Sequence, residues 1–559
     1  MIDIKGSPFN LSDEQKTWVD NKYASLSDDE KIEQLFCPLI SKIDEDHLLK
    51  ILSKYNFGAF MFRRGTACEI QSAVYTAQKA AKIPLLIAAN LEDGANGLAA
   101  EGTYMGKQML IAATGDAGYA YKLGKLCGRE GSALGVNWSF APVADIDLNC
   151  QNPITNVRTF GDNADTVLEM SRAYIKGLLE EGVIPAVKHF PGDGVDNRDQ
   201  HLLTSVNTML MDEWENSFGK IYRSLINDGA MTVMAGHIAM PAMEEYFDKR
   251  ECRQVIPSSC SHNVLKYLRQ NLGFNGLIIT DASPMAGFTA SGERKITVPL
   301  SIENGCDMFL FTKDMEEDIS YMKKGYESGR LSEKRLRGAV TRILAVKAAL
   351  KLHEHIPQKK INDKSVLSCE EHKNWACSCA DKAVTLVKDT QNLLPLNPKK
   401  MKKILLQILG DSESNERVIS HFEKQLCAEG FEVTRYVRET LDTIFADSSA
   451  EKFKAKYDLV FYIGNIETES NKTVNRINWH TLFGAGNNIP WFVNEIPALF
   501  VSVGNPYHLM DVPMIKTYIN GYCNSSFVID AVMNKLMGKS KFTGISPVDP
   551  FCGKWDTKF

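Results

Sequence analysis

Residues 164–190 read ADTVLEMSRAYIKGLLEEGVIPAVKHF. Within 164–181, Val167, Leu168, Met170, Tyr174, Ile175, Leu178 and Leu179 recur at spacings that line one face of a helix. The run that follows, VIPAVKHF at 183–190, is short and mostly apolar, as a buried strand is. A helical segment alternating with such a run is one βα repeat, and the first 350 or so residues carry more of them. FGAFMF at 57–62, IPLLIAAN at 83–90, NWSFAPVADID at 137–147, MTVMAGHIA at 231–239, GLIITD at 276–281 and CDMFLF at 306–311 are the other candidate strands. About seven βα units are visible, close to the eight of a TIM-type (β/α)8 barrel. Residues 1–350 are therefore expected to form a barrel domain.

The basic, helix-like run 333–351 leads into LHEHIPQKKINDK at 352–364, which is polar and contains a proline. A linker is expected at 351–380. Beyond it, KKILLQIL at 402–409, YDLVFYI at 457–463 and PALFVSV at 497–503 are strand-like, with helical stretches between them. They predict a smaller three-layer α/β sandwich over 381–559. The expected class is thus α/β, a barrel followed by a sandwich. No short-period repeat points to a solenoid.

A chain of 559 residues with 44% hydrophobic and 24% charged content can bury more than one core, which excludes extended disorder. Its net charge of −5 gives no reason to attract nucleic acid or an anionic membrane, so the expected partner is a small molecule. A homodimer stands as an alternative. The opening MIDIKGSPFNLSDEQKTW lacks the pattern of a secretory signal, and no long apolar span follows. The 13 cysteines are odd in number and scattered, which suits a reducing cytoplasm. Cys377 and Cys379 form the one close pair, and nothing near them completes a zinc site, so no metal is expected.

A parallel barrel gathers the C-terminal ends of its strands around one cavity, so polar residues there are the first candidates for chemistry. VIPAVKHF ends in Lys188 and His189 and continues as PGDGVDNRDQH, which carries Asp199 and His201. GLIITD ends in Asp281, NWSFAPVADID brings Asp145 and Asp147, and MTVMAGHIA brings His237. Alone, a strand-end aspartate usually caps a turn, and a Lys-His pair is usually structural. Asp199-x-His201 makes physical sense as a dyad: a carboxylate beside an imidazole fixes the ring and favours its protonated form, so that the ring can give a proton and later take one. A loop Asx-turn with an exposed histidine reads the same tripeptide equally well.

The stretch VKHFPGDGVDNRDQH at 187–201 resembles the signature of the β-N-acetylglucosaminidases of glycoside hydrolase family 3, Lys-His-Phe-Pro-Gly-His-Gly followed by a loop ending Asp-x-His. LSDDEKIEQLF at 26–36 is similar to the opening helix of that family, FAPVADID at 140–147 to its Phe-Ala-Pro-Val strand, NPITNVRTFGDN at 152–163 to its Arg-x-Phe-Gly segment and GLIITDASPMAG at 276–287 to its nucleophile strand. Order and spacing agree over roughly residues 26–350, and TLVKDTQNLLPL at 385–396 carries a weaker likeness into the second domain. The resemblance implies Asp281 as nucleophile and Asp199 with His201 as acid/base. It also implies Arg158, Lys188, His189, Asn90 and Glu92 as residues that hold the sugar. Two departures stand out. Asn90-Leu91-Glu92-Asp93-Gly94-Ala95 replaces the family's Asp-x-Glu-Gly-Gly-Arg, and Asp193 replaces the histidine of the Pro-Gly-His-Gly turn.

The activity so implied is that of a retaining exo-β-N-acetylglucosaminidase that passes through a covalent glycosyl-aspartate. No cofactor is called for, and no HExxH, P-loop or dinucleotide fingerprint is present. A neutral or protonated histidine does not repel an incoming anion, so a β-N-acetylglucosaminide phosphorylase uses the same residues. A family 3 β-glucosidase would draw its acid from a second-domain glutamate, against which Asp199-x-His201 argues. A non-catalytic sugar-binding barrel predicts loss of residues that are all present here.

Overall fold

The computed structural model describes residues 2–249, 251–252, 254–354, 364–446, 449–479 and 486–559. The expected linker therefore lies partly, at 355–363, outside the described residues. The chain forms two compact units. The first comprises 1–104, 120–152 and 164–372, and the second comprises 105–119, 153–163 and 373–559. Two segments from the stretch read as barrel thus belong to the second unit, and Arg158 is in one of them.

The first unit contains β1 (Phe36–Cys37), β2 (Leu39–Ile40), β3 (Ala59–Phe62), β4 (Leu86–Ala89), β5 (Trp138–Ser139), β6 (Ile184–Phe190), β7 (Ser205–Val206), β8 (Thr232–Ala235), β9 (Ile238–Ala239), β10 (Leu277–Thr280) and β11 (Phe309–Leu310). A seven-stranded sheet runs β2-β3-β4-β5-β6-β8-β10, every pair parallel. Its two edges meet through the β11 segment: Met308, just before β11, bridges to Ile279 of β10, and β11 pairs in parallel with β1 at Phe309 and Phe36. The ring is the TIM-like barrel expected. Its eighth strand position is Phe36–Ile40, inside and just beyond a stretch read as helix; that helix, Asp28–Glu33, stops short of it.

The strands are shorter than their apolar runs. Of 137–147 only Trp138–Ser139 is strand; Pro142 has no N–H to give a ladder, and Val143 beyond it bridges to Lys188. All of β6, β8 and β10 is buried, as strands covered on both faces must be. The wholly buried Trp138 donates through Nε1 to Thr232 Oγ1 at 2.8 Å, and that hydroxyl donates to the Pro185 carbonyl at 2.6 Å. No polar atom of this contact is left unpaired in the core, where each lapse would cost about 1–3 kcal/mol. The helix Ala164–Leu179 buries Val167, Leu168, Met170, Tyr174 and Leu178 as its spacing predicts, whereas Leu179 at its end is 46% exposed.

At the opposite end of the strands from the polar rim, the buried Asp307 is held by Arg269 at 2.5 Å, Arg335 at 2.7 Å and Arg342 at 3.4 Å, and accepts Ile278 N–H at 2.8 Å. Burial works to raise its pKa, and the three guanidinium groups outweigh burial, so it stays ionised. This network ties the starts of β10 and β11 and leaves their far ends for chemistry.

The second unit is built on β12 (Thr385–Asp389), β13 (Lys403–Leu409), β14 (Glu432–Arg435), β15 (Leu459–Gly464), β16 (Ala498–Ser502) and β17 (Thr517–Asn520), in the order β12-β17-β16-β15-β13-β14. Only β12 is antiparallel. Neighbouring residues of a strand face opposite sides. Accordingly Phe461 meets Phe422 of the helix Asn415–Ala428, while Tyr462 packs with Phe492 and Phe453, the latter on the helix Ala450–Lys456. The sheet is thus the middle of three layers.

Candidate active site

Four segments of the first unit converge at the C-terminal end of the barrel. β6 carries Lys188 and His189 just before its last residue, Phe190, and β10 runs into Asp281, whose N–H donates to Ala235 O at 2.8 Å at the end of β8. The segment after β5 supplies Asp145, and the residue after Gly236 is His237. Asp281 Oδ1 accepts the N–H of Ala282 at 2.7 Å, and Oδ2 lies 4.0 Å from His189 Nε2. Burial works to raise the Asp281 pKa, but the imidazoles of His189, His237 and His201 and the Ala282 N–H outweigh it. The carboxyl therefore titrates below its ordinary value and is an anion at neutral pH, as a nucleophile must be.

Each histidine of the rim is held by a partner. Asp145 takes His189 at Nδ1 (2.7 Å) and at the backbone N–H (3.1 Å). His237 is fully buried, with Nδ1 2.8 Å from Ser259 Oγ and Nε2 3.0 Å from Ala282 O. Burial lowers its pKa, and its Nε2–H donates to the carbonyl beside Asp281. Asp199 Oδ1 accepts both the N–H of His201 at 2.9 Å and, at 2.7 Å, its Nδ1. The Asp199 carboxylate is wholly buried, whereas the His201 side chain is 23% exposed. The tripeptide is therefore both an Asx-turn and a dyad.

The loop of the dyad rests on the loop of Asp281. Ala286 N–H donates to His201 O at 2.9 Å, and Thr204 Oγ1 donates to Gly287 O at 2.8 Å. A Cβ on Gly287 would come within 2.4 Å of Gln200 O, so the glycine is needed for the approach. Lys188, almost fully buried, contacts Glu92 at 2.7 Å and Asn90 Oδ1 at 3.3 Å. These three candidate sugar contacts are therefore one charged cluster next to His189. Arg158 lies in the second unit, ending the short turn Asn156–Arg158, with Nη1 3.3 Å from Ile154 O.

Two buried groups complete the rim. Asp193 Oδ1 accepts Asn152 Nδ2 at 3.1 Å and Gly194 N–H at 2.7 Å, and its own N–H donates to Asp145 Oδ1 at 2.8 Å. Burial, then the charge of Asp145, push its carboxyl up to about 8. Gln200, between the two dyad residues, was not singled out in the sequence, because a neutral amide in a polar loop carries no signal of burial. Among the described residues no three His, Cys, Asp or Glu side chains are arranged to hold a metal ion, and no helix is long and apolar enough to cross a membrane.

A carboxylate held ionised and an imidazole–carboxylate pair at the mouth of a parallel barrel are groups able to carry out displacement and proton transfer on a bound ligand. Comparison with known proteins agrees. Residues 27–346 match the N-terminal domain of glycosyl hydrolase family 3. A β-N-acetylglucosaminidase/β-glucosidase of Cellulomonas fimi is 41% identical over 565 residues, covering all of both chains. A β-hexosaminidase of Neisseria meningitidis serogroup B is 29% identical over 284 residues, which is 48% of this chain and 74% of that one. Among solved structures, a β-glucoside phosphorylase bound to 2FGlc superposes with a TM-score of 0.93 at 42% identity, covering 99% of each chain. A family 3 β-N-acetylglucosaminidase from Paenibacillus shares the fold, with a TM-score of 0.81 at 22% identity over 95% of this chain and all of that one. This chain belongs to glycosyl hydrolase family 3. It is a glycoside hydrolase of the branch whose relatives include hexosaminidases.

Proposed function

We propose that the chain is a retaining exo-glycosidase for β-N-acetylglucosaminides and β-glucosides, with Asp281 as nucleophile and His201, oriented by Asp199, as acid/base. One observation carries the reading: the dyad loop is bonded directly to the loop that begins at Asp281. In the first step an Asp281 oxygen attacks the anomeric carbon, the glycosidic C–O bond breaks, and His201 gives its proton to the departing oxygen. In the second step an acceptor displaces the aspartate, and His201 takes the acceptor's proton. Two displacements at one carbon retain configuration. Lys188, His189, Glu92 and Asn90 hold the sugar hydroxyls and the 2-substituent over Asp281. Arg158 is proposed as a further sugar contact on its motif alone.

Phosphate is a second acceptor on this reading, favoured by the likeness to a solved β-glucoside phosphorylase at 42% identity. An imidazole adds no negative charge in the acceptor's path, and a phosphate dianion attacks without giving up a proton. All 13 cysteines stand as free thiols, which supports a cytoplasmic setting. A panel of aryl N-acetylglucosaminide, N-acetylgalactosaminide, glucoside and xyloside, each run with and without phosphate, tests the proposal. The expected result is turnover of the N-acetylglucosaminide and glucoside, with glycosyl phosphate formed when phosphate is present. No turnover of either would overturn the function, and free sugar as sole product would limit it to hydrolysis.

A further inference from the structure

Gln200 is 1% exposed, although both of its neighbours in sequence are proposed to do chemistry. Its carboxamide spans two loops: Oε1 accepts the N–H of His237 at 2.7 Å, and Nε2 donates to Asp193 Oδ2 at 3.1 Å. The direction is fixed, because a backbone N–H can face only the oxygen of the amide, which leaves the NH2 for the carboxyl. Around this amide the packing has no slack. A Cβ on Gly236 would stand 3.1 Å from Gln200 Oε1, and one on Gly287 would stand 2.4 Å from Gln200 O. Gln200 is thereby pinned to the turn after β6, to the end of β8 and to the loop that follows Asp281. Through His237, which donates to Ala282 O, the same bond reaches the residue next to the nucleophile.

We propose that Gln200 is a positioning residue that sets where the His201 imidazole stands over Asp281, and that it acts as one unit with Asp193. The inference rests on the roles given above to Asp281 and His201. Asp193 is where this chain departs from the Pro-Gly-His-Gly turn, and the structure pairs that departure with the glutamine inside the dyad. A contact of this kind acts on proton transfer through geometry, and a displacement of about 1 Å can cost about 100-fold. Its effect must grow as the leaving group becomes a poorer one, since only then does departure need the proton.

The test reverses the bond. Gln200→Glu keeps an oxygen for His237 N–H but replaces the NH2 that stands 3.1 Å from Asp193 Oδ2 by an oxygen that takes the proton Asp193 carries, a shorter contact that draws the dyad loop out of place. Asp193→Asn alone sets an NH2 against the NH2 of Gln200, or against Gly194 N–H if it turns. Combined, the two substitutions restore a donor–acceptor pair of opposite direction. Each single variant is expected to lose about 10–100-fold in kcat/KM on a phenyl glycoside and much less in the first-step burst on a dinitrophenyl glycoside, and the double variant to regain most of the loss. If either single variant lacks a cooperative thermal transition, Gln200→Asn, which keeps the amide and loses its reach, is expected to show the same leaving-group pattern. Wild-type kinetics in the single variants, or equal losses on all leaving groups with no recovery in the double variant, would overturn the proposal. Asp281→Asn run alongside separates the failures: activity in that variant would sink the assignment of the site itself, whereas an inactive Asp281→Asn beside a neutral Gln200→Glu would sink only the role of Gln200.

Discussion

Asp145 grips His189 at two points, with Oδ2 2.7 Å from the ring Nδ1 and Oδ1 3.1 Å from the backbone N–H. A carboxylate can only accept, so the ring carries its proton on Nδ1 and turns Nε2 toward Asp281, 4.0 Å away. That gap is wide enough for a sugar hydroxyl to bond with either group. Asp145→Asn keeps an oxygen for the backbone N–H groups and places an NH2 against Nδ1, which forces the other tautomer. The expected outcome is a loss of about 100-fold in kcat/KM with a nearly unchanged melting temperature, and imidazole 15N shifts report the exchanged proton.

Asp281→Asn should abolish turnover of every glycoside while the fold is kept, because an amide cannot form the glycosyl ester. Intact-mass measurement after incubation with a 2-fluoro glycoside is expected to show a covalent adduct on the wild type and none on the variant. An adduct of equal yield on the variant would move the nucleophile elsewhere.

His201→Ala should spare the first step for an aryl glycoside with an acidic phenol and slow the second. A burst of phenol, then a slow steady state, is expected in stopped-flow absorbance. Added azide, which needs no deprotonation, should restore the steady rate and yield a β-glycosyl azide. Asp199→Ala should behave alike but less severely, since the imidazole stays and loses only its orienting partner. No burst, no rescue and a loss independent of the phenol would make His201 a binding residue.

The proton on Asp193 makes stability depend on pH. With the folded pKa raised from 3.8 to about 8, the folded chain keeps a proton that the unfolded chain releases between those values. Its contribution is therefore fully present below pH 4 and is lost as pH rises toward 8, after which it is level. Asp193→Asn removes this titration. Urea midpoints measured at pH 5 and pH 8 should fall less between the two in the variant than in the wild type. Equal falls would assign the titration to another group.

The barrel was legible where burial and polarity change within a few residues. GLIITD goes from wholly buried apolar residues to a carboxylate, and VIPAVKHF from apolar residues to Lys188 and His189, so strand and site could be read together. Phe36–Ile40 was not legible: it is split by Pro38 and runs on without a break from a helix whose apolar residues mask its start. In the site, Asp199 and His201 could be paired because the contact is local. The hold of Asp145 on His189 and of Gln200 on Asp193 and His237 could not, because each joins residues that only the folded barrel brings together. Arg158 was legible by its motif, whereas the folding of its segment with the second unit was not, because that too depends on contacts distant in sequence.

The closure of the barrel between Phe36 and Phe309 sets the order of events on the ribosome. The first strand leaves the exit tunnel early, and the strand that completes its hydrogen bonding is the last of the barrel to be made. Until then the nascent sheet has two open edges of apolar strand, the form most prone to pair with another chain. The barrel cannot finish as a series of independent βα units, because its last strand pairs with its first and the Asp307 network beneath that strand waits for Arg335 and Arg342.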